Sequence, residues 1–126
     1  MKQENEVLEG VLQEFSKLAA IPRKSGGHEQ AVSDFLKSYL TKLGCTVTQD
    51  EVNNIIADKP AAPGFEQAPL TILQGHMDMV CVAEEGYAYD PLKDPIKLVR
   101  DEKYLSAEGT SLGADDGIGV AEGIYV

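Results

Sequence analysis

Positive charge is scarce in this 126-residue chain: 11 Lys and Arg stand against 21 Asp and Glu, for a formal net charge of −10. The longest basic cluster is Arg23-Lys24. A phosphate-binding face needs clustered cations, so nucleic acid and anionic membrane surfaces are excluded as expected partners. No apolar stretch approaches the roughly 20 residues of a membrane span. The start, Met1 to Glu6, lacks a basic region followed by an apolar one, so no signal peptide is expected. Only two cysteines occur, Cys45 and Cys81, and they form no C-x-x-C pair. They read as small, reduced, half-buried residues of a cytoplasmic protein. G-x-S-x-G, P-loop and H-E-x-x-H patterns are all missing, which removes the serine-elbow, nucleotide and zincin readings. Histidine is equally sparse, with only His28 and His76.

What is present is a globular composition, 43% hydrophobic and 25% charged, at a length that fits one domain or part of a larger one. Leu8, Val11, Leu12, Phe15, Leu18 and Ala19 recur at helical spacing and predict an amphipathic helix from about Glu4 to Ala20, closed by Pro22. Arg23 to Gly27 reads as a connector rich in turn formers. A second helix is expected from about His28, with Val32, Phe35, Leu36, Tyr39, Leu40 and Leu43 on one face and a left-handed cap at Gly44. Short strands are expected at Cys45–Gln49 and Asn54–Ala57, then a loop over Lys59–Ala68. Leu70–Gln74 is apolar enough to predict a strand in the interior of a sheet. Ile96–Val99 and Tyr104–Ala107 predict a hairpin. From Gly117 the pattern turns helical, and Gly117, Gly119 and Gly123 imply close backbone approach. The run Ile124-Tyr125-Val126 reads as an apolar helix cut in mid-course.

Chemistry concentrates in two places. In Gly75-His76-Met77-Asp78-Met79-Val80, an extended backbone puts His76 and Asp78 on one face and Met77 on the other, toward the core. A carboxylate bonded to one ring nitrogen fixes the tautomer and frees the other nitrogen for a metal. Taken alone, an H-x-D triplet reads equally as two polar groups satisfying each other. The second place is Gly113-Ala114-Asp115-Asp116-Gly117. An Asp before a helix is an ordinary N-cap, but the small and apolar flanks predict partial burial. Two adjacent buried carboxylates call for a compensating cation. EF-hand spacing is absent. His28, at the start of the second helix, is expected to face solvent.

These segments together resemble the amino-terminal portion of the cytosolic non-specific dipeptidases, or aminoacyl-histidine dipeptidases, which are di-zinc metallopeptidases. The resemblance is carried by Ile21-Pro22-Arg23-Lys24-Ser25-Gly26, Asn53-Asn54, Leu73 to Val80, Asp94-Pro95-Ile96 and Gly109 to Ala121. It implies an α/β fold, the N-terminal part of a three-layer zinc-aminopeptidase-like catalytic domain spanning 1–126, with two N-terminal helices, a mixed sheet and a helix beginning after Asp116. It implies His76 as a metal ligand, Asp78 as the catalytic residue orienting it, and Asp115 as a carboxylate bridging two divalent ions. Zinc is the expected metal, with cobalt or manganese as alternatives. The Asp115–Asp116 bond is expected to be cis.

The substrate would be a small unblocked peptide, and intact members are expected to form homodimers. The remaining ligands, the Glu general base and a lid or dimerisation domain are expected beyond residue 126, leaving this chain incomplete and inactive by itself. Glu84-Glu85 and Glu122 do not match the family's paired glutamates. Two other classes compete. One is an N-acyl amino acid deacetylase or carboxypeptidase, whose bridging Asp usually precedes Lys-Gly. The other is a non-catalytic module.

Overall fold

The computed structural model describes residues 2–126, an α/β arrangement of three helices and two strand pairs. Helix α1 runs over Lys2–Ala19. Its period-3.6 stripe is buried at Val11, Phe15, Leu18 and Ala19 as the sequence predicts, whereas Leu8, expected on the same face, is 50% exposed. Such a helix gains stability mainly by packing that stripe rather than from local propensity. The chain then leaves through Ile21, whose amide bonds Leu18 O, into Pro22.

Helix α2 spans Gln30–Lys42 and buries Val32, Ser33 and Leu36. It ends at the expected glycine. Gly44 has φ +93, its N–H donates to Thr41 O, and Cys45 N–H donates to Leu40 O. This pair of bonds satisfies carbonyls that the helix end would otherwise leave open. Strands β1 (Thr46–Gln49) and β2 (Ile55–Asp58) form an antiparallel ribbon. It is held to α2 by Ser33 Oγ donating to Asn53 O at 2.9 Å and Gln49 Nε2 donating to Ser33 Oγ at 2.7 Å. Strands β3 (Leu98–Arg100) and β4 (Leu105–Ala107) make the second ribbon, again antiparallel. Arg100 ties it to α1 through two bonds to the Glu9 carboxylate.

Helix α3 covers Ala114–Tyr125, but Asp115 and Asp116 have non-helical backbone angles, so the regular turns begin after Asp116 as expected. It packs along α1. A Cβ on Gly10 would collide with the Tyr125 ring, and one on Gly117 would meet Phe15 at 2.9 Å. Gly119 likewise leaves room, here for the Asp116 carboxylate. Gly123 has nothing within 4 Å, so the expected close approach is absent there. The core lies between α1, α2 and α3, with Met79 and Ile96 entering from the loops. Among the described residues, no helix is long and apolar enough to cross a membrane.

One expected element is corrected. Leu70–Gln74 forms no strand, and Leu70, Ile72 and Leu73 are 87%, 80% and 62% exposed. A buried strand needs a neighbour on its edge and a layer on its face. No strand pairs with this segment among the described residues, so its apolar side chains remain in solvent.

Candidate metal centre

The segment after this extended stretch is fixed by a single parallel pairing. Lys24 and Met79 form an isolated bridge: Met79 N–H donates to Arg23 O at 2.9 Å, and Ser25 N–H donates to Met79 O at 3.0 Å. Met79 is buried in the core and Met77 packs against it. Strand alternation then turns His76 and Asp78 outward together, as the sequence predicts.

Asp115 arrives from the other side. Gly113 adopts φ +76 just before α3, a conformation that favours glycine, and the Asp115–Asp116 peptide bond is cis. The two acidic side chains diverge. Asp116 Oδ2 accepts the His76 backbone N–H at 3.2 Å. The Asp115 side chain is 97% exposed, which corrects the expected partial burial at that residue, while Asp116 is partly buried as expected. Those small flanks instead make room for neighbouring groups: a Cβ on Gly113 would clash with Met79 and Arg23, and one on Gly119 with Asp116.

The His76 ring lies between two carboxylates. Nδ1 is 3.2 Å from both the Asp78 Oδ1 and the Asp78 backbone oxygen. Nε2 is 3.0 Å from Asp115 Oδ1, across 39 residues of sequence. Hydrogen bonding to Asp115 is the main cause that holds the His76 pKa above its ordinary value; desolvation opposes it, and Asp78 adds to the rise. Asp78 is held below the usual carboxylate range, chiefly by the hydrogen bond from Ser25. Ser25 Oγ donates to Asp78 Oδ2 at 2.5 Å, so one Asp78 oxygen is anchored while the other faces the imidazole.

Three of the sequence-derived site residues, His76, Asp78 and Asp115, therefore meet. His28, Glu84, Glu85 and Glu122 are exposed, and among the described residues no group of three or more His, Cys, Asp or Glu side chains is arranged to hold a metal. Two donors do suit an ion. An imidazole nitrogen and a carboxylate are both zinc ligands, and donors at about 2.1 Å from a tetrahedral ion lie roughly 3.4 Å apart. The observed 3.0 Å is close to that spacing. They make up half of a four-coordinate shell. Sequence reasoning missed Ser25 and Arg23, which it placed in a turn-rich connector. The signal available was the run Ile21 to Gly26, which belongs to the resemblance but shows no local chemistry of its own.

No protein-family model matches the chain. Over 112 residues, 89% of its length, it is 38% identical to the cytosol non-specific dipeptidase of Escherichia coli (strain K12), of which it covers 23%. The crystal structure of aminoacylhistidine dipeptidase from Vibrio alginolyticus superposes with a TM-score of 0.86 and 37% identity, over 92% of this chain and 24% of that one. The chain thus spans about a quarter of the length of the relatives it matches. The resemblance to the dipeptidases and the α/β class both stand, and both relatives are peptide hydrolases by name.

Proposed function

We propose that this chain carries part of a metal-dependent dipeptidase centre, in which His76 and Asp115 hold a divalent cation and Asp78 orients His76. The observation that supports this best is the convergence of His76 Nε2 and Asp115 Oδ1 to 3.0 Å from separate segments. The substrate class proposed is that of the relatives, one a non-specific dipeptidase and the other an aminoacylhistidine dipeptidase: dipeptides, Xaa-His among them. Zinc fits the nitrogen and oxygen donors best, with cobalt or manganese as competitors for the same set. By the same likeness the protein works in the cytoplasm.

The chain's own residues have separable tasks. Asp78, kept ionised by Ser25, accepts a hydrogen bond from Nδ1–H of His76, which leaves Nε2, hydrogen-bonded to Asp115 while it carries a proton, to give up that proton and take a cation instead. Asp116 fixes the His76 backbone through its N–H. Asp115, exposed and negative, supplies an oxygen donor and local negative potential. A bound cation supplies the Lewis acidity that makes water nucleophilic near neutral pH. With one nitrogen and one carboxylate where about four ligands are usual, the 126-residue chain binds zinc weakly and is inactive as a hydrolase by itself.

The test is a calorimetric zinc titration of the chain beside its Asp115→Ala variant, together with a dipeptide-cleavage assay on each. We expect measurable zinc binding that Asp115→Ala removes, and negligible turnover by either. Equal binding by both proteins would overturn the ligand assignment. Turnover matching a full-length dipeptidase would overturn the claim that the centre is incomplete.

A further inference from the structure

We infer that Arg23 is the positioning residue that fixes the spacing between the His76 and Asp115 arms, an inference that rests on the metal-centre reading above. Arg23 is 1% exposed, among the most completely buried side chains in the molecule. Its guanidinium spans the two segments that carry the site. Nη1 donates to Met77 O at 3.0 Å, between His76 and Asp78, and Nη2 donates to Gly113 O at 2.9 Å, two residues before Asp115. The two acceptors lie 54 and 90 residues from Arg23 in sequence. The Arg23 backbone carbonyl takes the Met79 N–H as well, so side chain and main chain grip the same extended segment on either side of Asp78.

The chemistry argues for geometry over stability. Among the described residues the guanidinium meets no carboxylate within ion-pair distance, and its Nε has no hydrogen-bond partner. A buried charge whose direct partners are two carbonyls, with the Asp78 carboxylate helping through its charge but not by an ion pair, is costly, and an apolar side chain of similar volume would fill the space at lower free-energy cost. What an apolar side chain lacks is the rigid planar fork that can hold two carbonyls at a set separation. The surrounding backbone is shaped to that fork. A Cβ on Gly113 would fall 2.6 Å from Nη2, and a Cβ on Gly117 would fall 2.7 Å from it. The start of α3 therefore closes over the guanidinium using its two side-chain-free positions, and Asp115 and Asp116 lie between them.

The experiment compares the parent chain with Arg23→Met, which keeps bulk and removes the fork, and Arg23→Lys, which keeps charge and removes the fork. Two quantities are read: zinc affinity by calorimetry, and amide hydrogen exchange by NMR in the metal-free chain. Supporting partners of metal ligands typically change affinity about 10- to 100-fold. We expect at least a tenfold weaker zinc Kd in Arg23→Met and a smaller loss in Arg23→Lys. Exchange should quicken at Met79 and Gly117, whose amides bond to Arg23 O and Gly113 O, while the β1–β2 ribbon amides are unchanged.

Uniform acceleration that includes the ribbon, or local acceleration with zinc affinity within twofold of the parent, overturns the inference. So does an unchanged exchange pattern, or unfolding of both variants. If the parent itself binds no zinc, the metal-centre reading fails separately, and the exchange pattern alone decides whether Arg23 sets the two arms.

Discussion

Ser25 and Asp78 are joined by a 2.5 Å hydrogen bond across 53 residues of sequence, and the free Asp78 oxygen faces the His76 ring at 3.2 Å. A serine in a connector thereby determines the state of the carboxylate that orients the imidazole. Its removal makes the first prediction. In Ser25→Ala the Asp78 carboxyl should titrate closer to its ordinary value, because the bond from Ser25 is the largest cause of its depression. The sign follows: a depressed carboxyl adds stability above its unfolded pKa and loses it as pH falls through the folded value. Side-chain carboxyl NMR across pH 2 to 6, a window of roughly two units around the ordinary value, checks this. An unmoved Asp78 titration would remove Ser25 from the site.

His76 carries the opposite sign. Its raised pKa, caused first by Asp115, stabilises the metal-free fold below the unfolded value of about 6.5 and is lost as pH rises through the folded value. Asp115→Asn should move the imidazole titration downward, as read from its ring proton shifts. Because proton and cation compete for Nε2, zinc affinity of the parent should climb with pH through the same interval. A flat affinity across it would separate His76 from any metal.

Phe15 is 1% exposed, and its ring fills the space that Gly117 leaves on α3. Phe15→Ala should cost about 3–5 kcal/mol, the usual range for deleting a buried aromatic ring. Urea unfolding monitored by far-UV circular dichroism measures it. A loss under about 1 kcal/mol would show that α3 is not seated on α1 as described.

Leu70→Ser and Ile72→Ser test the corrected strand. At 87% and 80% exposure, each should shift stability by less than about 0.5 kcal/mol in the same urea assay. Losses of about 2–5 kcal/mol are typical of core truncations and would restore the interior-strand reading.

The sequence was most informative where the physics is local. The stripe through Val11, Phe15 and Leu18 gives α1 its buried face, and the glycine at 44 gives α2 its end. Alternation within Gly75 to Met79 is enough to turn His76 and Asp78 outward while Met77 and Met79 face the core. The failures share a cause. An apolar run such as Leu70 to Leu73 reports a tendency toward burial, but burial also needs an opposing surface, and no local pattern says where that surface is. The small residues around Asp115 predict enclosure. They serve to admit a guanidinium and a neighbouring carboxylate, and Asp115 itself swings clear. Arg23 and Ser25 were missed because everything they do is done 53 to 90 residues away. Neither periodicity nor turn chemistry registers a contact of that range.

The openness of Asp115 bears on how an ion would be chosen. Among the described residues, a carboxylate standing 97% free has no cage around it whose dimensions reject a larger or smaller guest. What these residues themselves contribute to discrimination is the soft–hard character of the imidazole neighbour, and affinity order alone would hand the place to copper before zinc.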